Sequence, residues 1–167
     1  LSANTNASID TAWFLERILS ALRLRTSLYD KPYYRLVHAE ADELPGLIID
    51  RFSDLLVVQP NAAWLDCFLP ELIHAIKDAV APKNIIINGT SRSRALEGLP
   101  ETRITIFGEM PNAPIKVPMN GAIYFADVVD GQKTGLFYDQ RPTHAFVQCL
   151  AHNKKVLDVF SYVGGFG

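Results

Sequence analysis

The amino-acid sequence predicts an α/β fold. Segments with apolar residues at three- and four-residue steps, typical of helices, alternate along the chain with short apolar runs typical of strands. Toward residue 167, the apolar run 156–160 is followed by a glycine-rich segment, 161–167. That order is typical of a first parallel strand feeding a loop that can hold a nucleotide-like cofactor. We therefore predict an α+β region with a mixed sheet, followed by the opening strand and glycine loop of a Rossmann-like domain.

The first half of the chain shows two helical periods. Residues 9–28 form the first, and Ser8 or Asp10 can cap its start. Residues 62–80 form the second, which Pro82 ends. Four strands are predicted here, the middle two forming a hairpin around Ser53-Asp54: 33–40, 47–52, 55–59 and 83–88.

The second half is predicted to start with a polar loop or short helix at 90–100. A helix should begin near Pro142, which suits a first helical turn, and run to about Asn153. The remaining runs predict strands at 102–107, 115–117, 121–129 and 156–160. The best boundary lies near 130–141, which gives an α/β domain over 1–130 and the start of a Rossmann-like domain over 131–167.

Composition and charge narrow the class of function. The hydrophobic share of 49% and the charged share of 20% are ordinary for a soluble globular protein, and no apolar run approaches a membrane span. A net charge of −2 argues against this chain as the main grip on nucleic acid, although a local basic patch is compatible with it. Cys67 and Cys149 form no C-x-x-C motif, which favours a reduced, cytoplasmic compartment. Both lie on apolar predicted helices, which predicts core or semi-core thiols. Because residue 1 is Leu, we expect the chain to begin inside a longer product.

Two segments combine glycine with polar side chains. Glycines at 164, 165 and 167 let the backbone approach a ligand, and an ordinary glycine-rich turn is the alternative. Segment 130–142 places Lys133, Gln140 and Arg141 at a helix entrance beside aromatic rings. These groups suit a zwitterionic ligand or a bridge between domains, and a capped helix start is the alternative.

Two further segments carry charge. His38, Glu40 and Asp42 alternate along a predicted strand and superficially resemble a metal cluster, but solvated or arginine-paired carboxylates are the preferred interpretation, so no metal site is predicted. Arg92 and Arg94 lie among hydroxyl side chains and could hold phosphate, with a solvated loop as the alternative.

Three segments in order carry a resemblance to a known family: 34–52, with Pro45-Gly46 followed by an apolar run; 133–141, Lys-Thr-Gly-Leu-Phe-Tyr-Asp-Gln-Arg; and 156–166, with Phe-Ser-Tyr-Val-Gly-Gly-Phe. Together they resemble the large-subunit ribosomal RNA methyltransferases of the cytosine-C5 type. Those enzymes carry an N-terminal PUA RNA-binding domain, a central α/β domain and a Rossmann-like domain that binds S-adenosylmethionine (SAM). This chain resembles the central domain plus the start of the methyltransferase domain.

The resemblance implies a SAM site and ribosomal RNA as a partner. RNA contacts would come from Arg92 and Arg94. No catalytic residue is expected in this chain, because the cysteines that attack the cytosine ring in the family are expected downstream. Candidate cofactor residues are Lys133, Tyr138, Gln140, Arg141, Phe160, Ser161, Tyr162, Gly164 and Gly165.

The resulting interpretation is a fragment of a cytoplasmic SAM-dependent methyltransferase of 23S-type ribosomal RNA. Cytosine C5 is the leading target and a guanine the second, and the fragment alone is expected to be inactive. The alternatives are another Rossmann enzyme, such as a dinucleotide oxidoreductase, and a non-catalytic module that positions RNA or forms a homodimer.

Overall fold

The computed structural model describes residues 8–166, with the side chains of residues 103–106 outside the description. It divides into two compact units, Leu1–Met110 and Pro111–Gly167. The predicted boundary after residue 130 lies inside the second unit, and the assignment of the two domains stays a prediction. None of the described helices is both long and apolar enough to cross a membrane.

The first unit is built on a five-stranded mixed sheet, which confirms the predicted fold class. The strand order follows the chain; β3 and β4 pair in parallel, and every other neighbouring pair is antiparallel. The β2–β3 hairpin turns at Ser53, where φ is 59°. The strands are β1 (Tyr33–His38), β2 (Leu47–Phe52), β3 (Leu55–Pro60), β4 (Asn84–Gly89) and β5 (Thr102–Phe107).

Four helices accompany this sheet: α1 (Thr11–Leu28), α2 (Ala63–Cys67), α3 (Leu69–Val80) and α4 (Arg92–Leu96). Asp10 caps α1, since its carboxylate accepts a hydrogen bond from the Trp13 amide at 2.9 Å. The single helix expected over 62–80 is wrong, because the chain breaks at Phe68 between α2 and α3. Pro70 explains the break: proline cannot donate the bond that a continuous helix needs, yet fits the first turn of a new one.

Aromatic rings from α1 and α2 pack together in the core of the first unit. Phe14 is fully buried and stacks on Trp64, with centroids 6.1 Å apart, while Trp13 meets Phe14 edge-on at 5.1 Å. These contacts bring α1 and α2 together over the apolar sheet residues.

Arginines from α1 and β1 form ion pairs with two acidic residues, one on β2 and one in the turn that follows β1. Arg35 pairs with the fully buried Asp50 at 2.9 and 3.0 Å, and Arg25 pairs with Asp42 on the 3₁₀ turn Ala39–Asp42. Arg25 also donates to the carbonyl of Arg35 at 3.1 Å, next to a register shift between Arg35 and Val37. These carboxylates therefore serve as ion-pair partners, and no group of three metal-ligating side chains occurs among the described residues.

The second unit contains an antiparallel hairpin and one helix: β6 (Ile115–Met119), β7 (Ala122–Ala126) and α5 (Arg141–Ala151). The hairpin turns at Asn120-Gly121, where both residues have positive φ, as a two-residue hairpin loop requires. Pro142 lies in the first turn of α5, as predicted.

The predicted strand at 156–160 is wrong. The segment is irregular and exposed, with Leu157 at 86% and Phe160 at 100% of full accessibility. A parallel strand forms only against a neighbouring strand that receives its backbone hydrogen bonds, and no described strand of the second unit pairs with this segment. Its apolar sequence is therefore not enough to make it a strand.

Candidate functional site

The first part of the candidate site is a compact turn that Asp127 organises. The Asp127 carboxylate accepts from the amides of Val129 and Asp130, at 3.1 and 2.9 Å, and its carbonyl accepts from the Gly131 amide at 3.1 Å. A Cβ on Gly131 or Gly135 would lie 2.1 or 2.4 Å from that carbonyl oxygen, so both positions require glycine. We call residues 131–135 the Lys-Thr-Gly turn. No sequence pattern marked Asp127, which lies just before the predicted segment 130–142.

The predicted cofactor residues after this turn differ in exposure. Lys133 is exposed, and its ammonium lies 4.6 Å from the centroid of the Phe137 ring. Tyr138 is buried in the 3₁₀ turn Tyr138–Gln140, while Gln140 and Arg141 are half-buried at the start of α5. Lys133, Gln140 and Arg141 are therefore more accessible than Tyr138, and the assignment of all four as cofactor residues stays a prediction.

The second part is the glycine loop, residues 160–166. A hydrogen bond of 2.8 Å from the Gly164 amide to the Ser161 carbonyl closes a turn. Phe160, Tyr162 and Gly164 all have positive φ, at 61°, 50° and 71°. Left-handed residues at every second position are the backbone pattern from which anion-binding nests of N–H groups are formed. Nothing lies within 4 Å of a Cβ built on Gly164, so the loop is open there.

Tyr162 brings the two parts together. Its hydroxyl lies 3.2 Å from the carbonyl oxygen of Gly135 and 3.5 Å from that of Gln132, and its ring lies 5.2 Å from the ring of Phe137. Burial is the main cause that raises the pKa of Tyr162, because it disfavours the phenolate.

His144, which no sequence pattern marked, supports the other end of the glycine loop. The imidazole is buried on α5, with Phe166 edge-on at 4.5 Å and Tyr124 stacked at 6.1 Å. A Cβ on Gly165 would lie 2.5 Å from two atoms of the ring, so only glycine fits there. Burial lowers the pKa of His144 below its ordinary value, against the opposing attraction of Asp158 and Asp139.

A cavity of about 450 Å³ adjoins this histidine. Of the predicted cofactor residues, Gly165 is the one that lines it, next to side chains that no prediction included. Its wall includes Asn120, Tyr124, His144, Gln148, Lys154 and Phe166.

The two candidate RNA contacts in the first unit differ sharply. Arg92 is exposed at the start of α4. Arg94 is only 2% exposed, which contradicts its prediction as an RNA contact: its guanidinium donates twice to Asp66, at 2.8 and 2.9 Å, and to the carbonyls of Pro60 and Pro100. A guanidinium that is buried, and whose two terminal nitrogens are bonded inside the fold, is not presented to a phosphate.

Sequence comparison adds an independent observation. No family model matches the chain. Ribosomal RNA large subunit methyltransferase I of Yersinia pseudotuberculosis (serotype O:1b) and of Yersinia pestis (biovar Antiqua) are each 36% identical to it over 161 residues, 95% of this chain. The chain is homologous to these methyltransferases. It spans 41% of their length. The predicted resemblance to large-subunit ribosomal RNA methyltransferases is thereby confirmed, whereas the relatives' name does not specify a cytosine.

Solved structures show the same fold. A Streptococcus mutans chain described as a SAM-dependent methyltransferase matches with a TM-score of 0.79, at 20% identity, over 97% of this chain and 42% of its own. A second structure, SMU.776, described as a methyltransferase complexed with S-adenosylhomocysteine (SAH), matches with a TM-score of 0.82 at the same identity and coverage.

Proposed function

We propose that this chain contributes the cofactor loop and an accompanying α/β domain to a SAM-dependent methyltransferase of large-subunit ribosomal RNA that works in the cytoplasm. The observation that carries the proposal is the 36% identity to ribosomal RNA large subunit methyltransferase I over 161 residues. Because the chain spans 41% of these relatives, the activity belongs to the whole protein. The structural match to a methyltransferase complexed with SAH supports SAM as the cofactor.

The described residues fit such a cofactor. The open glycine at 164 and the alternating positive φ values of the glycine loop provide backbone that can approach a ligand closely. Lys133, over the Phe137 ring, and Arg141, at the start of α5, supply positive charge for its carboxylate. Ser161 and Gln140 add hydrogen-bonding groups beside them. When bound, SAM supplies an electrophilic methyl group, while these residues bind and orient the cofactor.

The target proposed for the whole protein is carbon 5 of a cytosine, with the attacking cysteine outside this chain. The resemblance to the cytosine-C5 family supports this choice. The prediction of Cys67 and Cys149 as core or semi-core thiols is wrong, because both are exposed; they belong to no matching motif, so neither is assigned to catalysis. Arg92 is the exposed arginine of α4 that we propose to contact the RNA backbone.

Calorimetric titration with SAH tests the cofactor site directly. We expect the chain to bind SAH weakly, and Lys133→Met to reduce the affinity roughly five- to tenfold, because a charge-assisted contact is lost. Lys116→Met is the matched control, since it removes an equally exposed lysine from β6. If SAH binds neither the chain nor the longer protein, the proposed cofactor site is wrong.

The methyl-transfer reaction tests the rest of the proposal. Ribosomal RNA incubated with the longer protein and labelled SAM should yield 5-methylcytidine on nucleoside mass spectrometry, and this chain alone should yield no labelled nucleoside. A methylated guanosine would refute the cytosine target, and turnover by this chain alone would refute the placement of the catalytic residues elsewhere.

A further inference from the structure

We infer that Tyr162 is a positioning residue, whose hydroxyl locks the glycine loop onto the Lys-Thr-Gly turn. The two segments proposed to hold the cofactor then form one preassembled surface before any ligand arrives. This inference rests on the proposed function, in which both segments contact SAM. It gives Tyr162 a different role from the direct cofactor contact that the family resemblance implies.

Among the described residues of the second unit, the Tyr162 hydroxyl donates hydrogen bonds to the Lys-Thr-Gly turn alone. Its two acceptors are the backbone carbonyls of Gly135 and Gln132, at 3.2 and 3.5 Å. Gly131 leaves room for it, because a Cβ there would lie 3.1 Å from the Tyr162 oxygen. Gly131 therefore serves the tyrosine as well as the bend of the turn itself.

The ring of Tyr162 extends the contact to a proposed cofactor residue. It packs at 5.2 Å against Phe137, and the ammonium of Lys133 lies 4.6 Å from the centroid of the same Phe137 ring. A displacement of Tyr162 would remove one neighbour of the ring over which Lys133 is held. The lysine is thus coupled to the loop through packed rings.

The two ends of the glycine loop differ in how they are packed. Phe160, at its start, is fully exposed with a φ of 61°, a conformation that carries strain for an aromatic residue. At its other end Gly165 and Phe166 pack on the buried ring of His144. Among the described contacts of the loop, Tyr162 is the one that joins it to the Lys-Thr-Gly turn, and the ring of His144 supports its other end.

The effect of Tyr162 on SAH binding depends on the fraction of molecules in which the glycine loop is attached to the turn. If the loop leaves the turn part of the time, the apparent affinity falls by the fraction of molecules in the assembled state. Loss of a hydrogen bond to a buried carbonyl typically shifts such an equilibrium roughly three- to tenfold. Exchange should then rise by this whole factor, because it follows the opening equilibrium, whereas SAH affinity falls only as far as the assembled fraction falls, and so by at most the same factor.

Tyr162→Phe tests the inference, because it removes the hydroxyl and keeps the ring. Tyr124→Phe is the matched control: it makes the same change in the same unit, where the hydroxyl makes no hydrogen bond among the described residues. Amide hydrogen exchange of the ligand-free chain should rise roughly three- to tenfold at 160–166 and at 132–135 in Tyr162→Phe alone. Calorimetric SAH affinity should fall by no more than this factor, with unchanged exchange in the first unit.

The outcomes separate the inference from the proposed function. Exchange in Tyr162→Phe equal to that of the unaltered chain would overturn the positioning role. Weaker SAH binding with unchanged exchange would also overturn it, since Tyr162 would then act as a direct contact. If exchange rises but the unaltered chain binds no SAH, the positioning role of Tyr162 stands and the proposed cofactor site is wrong.

Discussion

Removal of the buried guanidinium of Arg94 should destabilise the first unit far more than removal of its exposed neighbour Arg92. In Arg94→Met the side chain keeps much of its bulk, but Asp66 loses a two-bond partner, and the carbonyls of Pro60 and Pro100 lose their donors. Breaking a buried ion pair from one side costs about 3–5 kcal/mol. Because the Asp66 side chain keeps 35% exposure and can regain water, we expect ~2–4 kcal/mol here.

Urea unfolding followed by tryptophan fluorescence measures this loss, because both tryptophans, Trp13 and Trp64, lie in the first unit. With a slope of about 2 kcal/mol per M, the unfolding midpoint of Arg94→Met should fall by roughly 1–2 M. Arg92→Met should move the midpoint by less than about 0.3 M, since exposed substitutions stay within about 0.5 kcal/mol. Equal midpoints for the two variants would refute the structural role of Arg94.

Three further predictions use the same logic. Phe14→Ala should lower the free energy of unfolding of the first unit by ~3–5 kcal/mol, measured by the same fluorescence, because it empties a fully buried site. Gly135→Ala should destabilise the second unit by more than ~2 kcal/mol, measured by hydrogen exchange, because φ is +92° and the new Cβ would lie 2.4 Å from a carbonyl oxygen. Gly98→Ala is the control: φ is +70° in open space, so it should cost only ~1 kcal/mol. Equal costs for the two variants would contradict the steric argument. Burial lowers the pKa of His144, so the unfolded chain binds a proton at higher pH than the folded chain does. The protection of the second unit against amide hydrogen exchange should therefore decline as pH falls through about 6.5. A His144→Phe variant with the same pH profile would contradict this.

The sequence predicted the elements whose signals are local. The cap at Asp10, the hairpin around Ser53-Asp54 and the helix starting at Pro142 each depend on residues within one or two turns. Pro70 is an equally local signal for the break between α2 and α3, and the prediction of one helix over 62–80 did not include it.

The errors concern features that depend on distant residues. Arg94 looks like a surface cation in a polar segment until α2 brings Asp66 beside it, 28 residues earlier in the chain. The segment 156–160 has the composition of a buried strand, but strand pairing is a property of two segments, and composition describes only one.

The candidate site shows the same division. The sequence identified both of its segments, because glycines and mixed charges next to a helix start are visible in one dimension. It gave no indication of the contacts that join them, since the Tyr162 hydroxyl meets carbonyls 27 and 30 residues away. Backbone carbonyls have no sequence signature, so such a contact becomes visible only in the folded chain.

The edge strand β1 of the sheet influences how the protein behaves in concentrated solution. An unpaired strand edge is a template onto which another chain can add, and this is a common start of aggregation. Here the register shift at Leu36 interrupts the regular spacing of β1, and Arg25 already donates to the Arg35 carbonyl. An approaching strand would have to displace an ion-paired arginine and match an irregular ladder, so this edge is protected against intermolecular sheet growth.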